Sequence, residues 1–228
     1  MKIIEKRTMK KLLLVLLVLI VLSFTLYQKA ANQRNAAAQY NLGMMYEKGQ
    51  GVKQNYIKAA KLYQKAADQE HAGAQANLGF LYYYGQGVKQ NYIKTAKLYQ
   101  KASNQGNALA QYNLGIMYEK GQGVTQNYVK AAKFYQKAAD QGDAAAQANL
   151  GFMYDKGQGV TQNYVKAAKF YQKAANQGDT SAQNKLGSMY VKGKGVKQSD
   201  VKAKELFRKA CAGGSKWGCK AYAILNKR

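Results

Sequence analysis

The chain has 228 residues and carries 36 Lys and Arg against 11 Asp and Glu, a formal net charge of +25 at pH 7. With one His, two Cys and scattered carboxylates, it offers too few ligands for a zinc site and no recurring carboxylate pair for acid–base work. Nucleic acid fits the charge, but no nucleic-acid motif accompanies it, so none is expected as a partner.

Residues 1–25 read as a signal peptide or signal anchor. Lys2, Lys6, Arg7, Lys10 and Lys11 precede an apolar run, Leu12 to Leu22, that extends loosely to Tyr27. Its length is near the upper end for a signal peptide and short for a spanning helix. In either case the positive start stays in the cytoplasm and the remainder is exported, to the periplasm or cell envelope. No Cys follows the run, which argues against a lipoprotein, and no clean A-x-A site follows Leu22. Cleavage and retention both stay open, and only the retained form would touch a membrane. Residues 26–35 read as a partial repeat. "LYQKAANQ" at Leu26 to Gln33 matches "FYQKAANQ" at Phe170 to Gln177, which places Leu26 and Tyr27 to cap the first helix of the first full copy.

Five copies of one pattern then succeed each other at a spacing of 36 residues: 36–71, 72–107, 108–143, 144–179 and 180–215. Ala38, Leu42 and Tyr46 recur at that spacing, with Gln after the Ala and Gly after the Leu. A fixed period of this length marks stacked units, none of which buries its apolar face alone. In the first copy Ala38, Leu42, Met45 and Tyr46 share one face of a helix over Ala36 to Lys48. Gly43 lies inside that helix, where Gly costs about 1 kcal/mol against Ala, which suggests that another backbone comes close. A second helix over Tyr56 to Ala67 has Asn55 as its N-cap and Ala59, Ala60, Leu62, Tyr63 and Ala66 on its apolar face. "KGQGV" at Lys48 to Val52 joins the two. It is a hinge and not a phosphate loop: no strand precedes it, and no copy continues into Gly-Lys-Ser/Thr. Residues 216–228 read as a C-terminal capping helix.

These residues resemble the Sel1-like repeat, a relative of the tetratricopeptide repeat. "AQYNLGMMYEKGQGVKQNYIKAAKLYQKAADQ" (Ala38 to Gln69) carries the resemblance, through Leu-Gly, Tyr, Gly-x-Gly-Val and Tyr-x-Lys-Ala-Ala. It implies an all-α fold, a right-handed superhelical solenoid of antiparallel helix pairs. It also implies a non-enzymatic scaffold or adaptor without a cofactor, and by analogy an immunity-type binder of another exported protein. The C-terminal "KACAGGSKWGCKAYAIL" resembles the cysteine-rich exported branch of the same family, in which such pairs bridge adjacent helices. By register Cys211 stands where Ala175 does and Cys219 where Gln183 does. The resemblance and an exported location imply a disulfide; two reduced, buried small residues are the alternative.

Few residues invite catalysis. His71 takes the place of Asn107, Asp143 and Asp179 and reads as a degenerate helix cap. Ser199 to Lys202 match the S-x-x-K of penicillin-binding enzymes, which keeps a β-lactamase-like activity as an alternative. Yet Ser199 occupies the Asn55 slot, Lys202 the Lys58 slot, and the companion motifs are absent.

Binding is better supported. Lys58, Lys61 and Lys65 recur as Lys94, Lys97 and Lys101, as Lys130, Lys133 and Lys137, and as Lys166, Lys169 and Lys173. They form a candidate basic stripe on the second helices, suited to acidic or anionic envelope surfaces, unless they are simply a solvated face. On the first helices Tyr40, Met44 and Glu47 lie roughly opposite Leu42 and Met45. The same slots hold Phe80 and Tyr83, then Tyr112, Ile116 and Glu119, then Phe152 and Asp155. Variation at a fixed slot, rich in Tyr, Phe and Met, marks a candidate binding face for a protein or peptide, and the resemblance implies that it lines the concave side.

Overall fold

The computed structural model describes residue 12 and residues 22–227. The basic start and the apolar run as far as Val21, apart from Leu12, lie outside the described residues, and with them most of the signal or anchor segment. Among the described residues no helix is long and apolar enough to cross a membrane.

The described residues are helical, with no strand. After a helical segment at 22–32 come α1 (Ala36–Lys48), α2 (Tyr56–Ala67), α3 (Ala72–Tyr84), α4 (Tyr92–Asn104), α5 (Ala108–Lys120) and α6 (Tyr128–Asp140). They continue as α7 (Ala144–Lys156), α8 (Tyr164–Asn176), α9 (Thr180–Lys192), α10 (Asp200–Ala212) and α11 (Lys216–Asn226). The chain divides into two compact units, Met1–Asn107 and Ala108–Arg228.

Side-chain caps set the helix starts. Asn55, Asn91, Asn127 and Asn163 each accept the amide N–H three residues on. Asn35, Asp143 and Asp179 do the same for first helices. His71 also caps: its Nδ1 accepts the Ala74 N–H at 3.1 Å. Losing such a cap costs about 1 kcal/mol. First-helix ends are set by glycine. Gly49 closes α1 at φ +68° with its N–H on the Met45 carbonyl, a left-handed conformation that a Cβ disfavours. The second glycine of the hinge has a different task. A Cβ on Gly87 would lie 2.3 Å from the Tyr56 backbone carbon, and Gly159 and Gly195 meet Tyr128 and Tyr164 in the same way. Here one hinge packs on the start of the preceding copy's second helix.

The close approach expected at Gly43 is real, but the neighbour is a ring and not a backbone. A Cβ there would sit 2.7 Å from the Tyr63 ring, and Gly115 and Gly151 face Tyr135 and Tyr171 likewise. Each tyrosine thus lies flat across the glycine of its own first helix, completely buried or nearly so. Around it pack Ala59, Ala66, Ala74, Leu78 and Leu81 in the first unit, and Ala131, Ala138, Ala146, Leu150 and Met153 in the second. Burying one such Leu or Met contributes about 1.5–3 kcal/mol.

The glutamine after each recurring Ala is buried and forms a rung. Gln39 Nε2 donates to the Ala31 carbonyl, Gln75 to Ala67, Gln147 to Ala139 and Gln183 to Ala175. Its Oε1 accepts from a glutamine 30 residues on: Gln69, Gln105, Gln141 and Gln177 fill that role for Gln39, Gln75, Gln111 and Gln147. At the N-terminal end Tyr27 and Phe24 pack on Ala31, Ala38 and Leu42. Leu26, expected to help cap that end, is instead exposed.

Candidate functional site

The first-helix face comprises Tyr40, Met44, Glu47 and their counterparts, and the structure sorts them into two groups. The carboxylates are engaged internally. Glu47 accepts the hydroxyl of the buried Tyr63, and Asn77 Nδ2 donates to that same hydroxyl at 3.1 Å. In the third copy Tyr135 donates to Glu119 at 2.5 Å. Asp155, one methylene shorter, pairs with Lys194 at 3.1 Å, and the Tyr171 hydroxyl has no hydrogen-bond partner among the described residues. Burial, followed by the bond to Glu47 or Glu119, pushes Tyr63 and Tyr135 far above the ordinary tyrosine range.

The apolar members are half-buried. Tyr40, Met44 and Phe80 lean on the core of the first unit, Tyr112, Ile116 and Phe152 on that of the second. Tyr40 stacks on His71 at 4.6 Å and tilts against Tyr63. A Cβ on Gly73 would come within 3.1 Å of the Tyr40 ring. The first and third copies carry "AQYNLG" and the second and fourth "AQANLG", and in the first the extra Tyr40 reaches over the start of the next first helix.

Two aromatic residues escaped the sequence reading. Tyr84 stands where the other copies have Lys48, Lys120, Lys156 and Lys192, and it is 57% exposed. It joins Phe80 at 4.6 Å and Tyr83 at 4.9 Å, and Tyr83 meets Tyr92 at 5.2 Å. The change from "KGQGV" to "YGQGV" was the signal. Trp217, the sole tryptophan, is 51% exposed and stands edge-on to Phe207 at 5.2 Å. Its position in the capping helix, beyond the last full repeat, hid it.

All the lysines of the candidate stripe are exposed. Part of their recurrence has an internal cause. Lys58, Lys94, Lys130 and Lys166 lie over the rings of Tyr46, Tyr82, Tyr118 and Tyr154 at 5.1–5.3 Å, within cation–π range. Lys137 and Lys173 lie over Phe134 and Phe170.

Ser199 Oγ accepts the Lys202 N–H at 3.3 Å, so the S-x-x-K match falls on a helix cap. No group of three or more metal-binding side chains occurs among the described residues. Cys211 and Cys219 form a disulfide between α10 and α11, with Cα atoms 4.5 Å apart.

The Sel1 repeat model matches residues 20–35, 36–71, 72–107, 108–143, 144–179 and 180–215. The chain belongs to the Sel1 repeat family. Among solved Sel1-type structures, this one is similar to a protective antigen of uropathogenic Escherichia coli with an SLR fold. The two are 38% identical with a TM-score of 0.82, over 84% of this chain and 41% of that one. The chain thus spans less than half the length of that antigen. A Sel1 repeat protein from Oxalobacter formigenes is 36% identical with a TM-score of 0.77, over 83% and 76% of the two chains. An immunity protein of Pseudomonas aeruginosa is 25% identical with a TM-score of 0.51, over 89% and 73%. A comparison with curated proteins finds no match.

Proposed function

We propose that this Sel1 repeat protein is an exported, non-enzymatic scaffold that binds another protein through aromatic side chains on its first helices. The observation that carries the reading is the cluster of Phe80, Tyr83 and Tyr84 on α3, backed by Tyr92 at the start of α4, with Tyr84 left largely in solvent. Such rings are the usual anchors of protein interfaces, where large rigid groups gain contact area at small entropic cost. Because the carboxylates of the face are already engaged, the partner is recognised by apolar and aromatic contact more than by these acids. The similarity to an immunity protein supports a binder of another exported protein as the concrete form.

The exposed lysines favour a second reading, an electrostatic attraction to anionic envelope surfaces. Salt separates the two, since exposed charges more than a Debye length of about 8–10 Å apart are screened at physiological ionic strength and above. Affinity capture from an envelope fraction, washed at low and then high salt, is expected to retain a defined protein. Tyr84→Lys, which restores the residue of the other copies, is expected to weaken that capture at least about tenfold without changing thermal unfolding. Retention of only acidic material that salt removes, with no effect of Tyr84→Lys, would favour the lysine reading.

A further inference from the structure

The fifth repeat departs from the first and third at three positions in the same register. Tyr63, Glu47 and Asn77 form a hydrogen-bonded set in the first copy, and Tyr135, Glu119 and Asn149 repeat it in the third. Their counterparts in the last copy and capping helix are Phe207, Val191 and Ala221. Hydroxyl, carboxylate and amide have all gone together, so no member of the set is left behind without its partners. A fourth change opens space. The slot filled by Met44, Phe80, Ile116 and Phe152 holds only Ser188.

A cavity of about 270 Å³ lies at this place, open to solvent and lined by Val191, Phe207, Trp217, Ala221, Ile224 and Leu225. Ile224 is 60% exposed and Trp217 about half. An adjoining depression of about 370 Å³ shares Ser188 and Trp217. The charges on this rim are of one sign: Lys192 borders the cavity and Lys185 the depression, and no Asp or Glu lines either.

Resting on the protein-binding reading above, we infer that the pocket between α9, α10 and α11 is a docking site for an acidic protein segment that inserts one aromatic or aliphatic side chain beside Trp217. An apolar pocket with a single-sign rim fits an apolar anchor flanked by carboxylates. A second copy of this chain is the less suitable occupant, because each copy carries a formal +25 and would meet like charge.

Trp217 is the only tryptophan, so its fluorescence reports the site in the full chain. The probe is a synthetic peptide with one Phe flanked on both sides by Glu. It is expected to change Trp217 emission saturably. The same peptide with Ala for Phe should bind at least about tenfold more weakly, and a Lys-flanked version should not bind. Two variants close the pocket with residues that the inner copies already use: Ser188→Phe, and the combined Val191→Glu, Phe207→Tyr and Ala221→Asn. Both are expected to abolish the titration, and the first keeps the test valid if the second does not fold. No saturable change with the Phe peptide, an equal response to the Ala peptide, an unchanged titration in Ser188→Phe, or dimerisation that buries Trp217 without peptide would overturn the inference. Tyr84→Lys separates it from the broader reading. If Tyr84→Lys abolishes partner capture while the pocket variants neither bind peptide differently nor alter capture, the scaffold stands and the pocket does not.

Discussion

In the third repeat the Tyr135 hydroxyl is held by Glu119, whereas in the fifth Phe207 lies near Val191 and Ala221 with nothing polar to hold. The junctions differ in the same way. Inner glutamines join the start of one first helix to the end of the preceding second helix: Gln39 bonds Ala31 and Gln147 bonds Ala139, each eight residues back. At the last junction the same two slots hold Cys219 and Cys211, also eight apart, and the link is covalent. The reason is visible one rung earlier. Gln147 receives Gln177 from the end of its own copy's second helix, but Gly213 stands where Gln183 would need its donor, and Gln183 Oε1 is left buried without a partner among the described residues. A polar rung works only while the second helix of the same copy supplies the donor; the last copy has Gly213 there, and the junction that follows it is closed covalently instead.

The largest test of this contrast is alkaline pH. Tyr63, Tyr99, Tyr135 and Tyr171 are raised well above the ordinary tyrosine value, first of all by burial. Folded, they keep their protons; the unfolded chain loses them above about pH 10. Their stabilisation is therefore complete below pH 10 and declines as pH rises toward the folded values, by about 1.4 kcal/mol per tyrosine for each pH unit. Denaturant unfolding between pH 9 and 11.5 should show this decline, with phenolate absorbance of these rings appearing only as the fold is lost. Tyr171→Phe, which copies Phe207 and removes a hydroxyl that has no partner among the described residues, should flatten the slope at little cost near neutrality. Free titration of the buried rings in folded protein would break the contrast.

Next in size is the covalent link. Removing the disulfide with paired Cys211→Ala and Cys219→Ala is expected to cost about 2.5 kcal/mol, from the loop-closure entropy of an eight-residue separation. Gln147→Ala at an inner junction removes two hydrogen bonds and should cost about 1–2 kcal/mol. Chemical denaturation of the oxidised, reduced and substituted proteins checks both. Hydrogen exchange should place the loss from the cysteine pair in α10 and α11. Equal costs at the two junctions would mean that the bridge merely replaces a rung.

Much of this was legible in the sequence because the repeat supplies five readings of each slot. The helix bounds Ala36–Lys48 and Tyr56–Ala67, the Asn55 and Ser199 caps and the hinge glycines all arise from residue types with strong local preferences. The partners of Glu47, Glu119 and Gln39 were not legible. Each is fixed by a contact across the helix pair or into a neighbouring repeat, and periodicity shows that such a slot recurs without showing what it touches. Tyr84 and Trp217 were hidden for the opposite reason: they occur once, and a reading that seeks what recurs passes over the exception.

An effect smaller than that of the disulfide is the most direct probe of the polar set. Glu119→Ala removes the acceptor of the Tyr135 hydroxyl and should cost about 1–2 kcal/mol, the penalty for a buried donor left with poorer partners. Adding Tyr135→Phe should restore most of it, because the fifth repeat shows that the same backbone closes over Phe207 when the hydroxyl and carboxylate leave together. The two substitutions must therefore be strongly non-additive, with the double variant more stable than Glu119→Ala alone. Urea denaturation of the four members of the cycle measures that coupling. Additive losses would show that Glu119 acts through something other than the hydroxyl, and the apolar set of the fifth repeat would then be a local repacking and not the alternative closure of the same site.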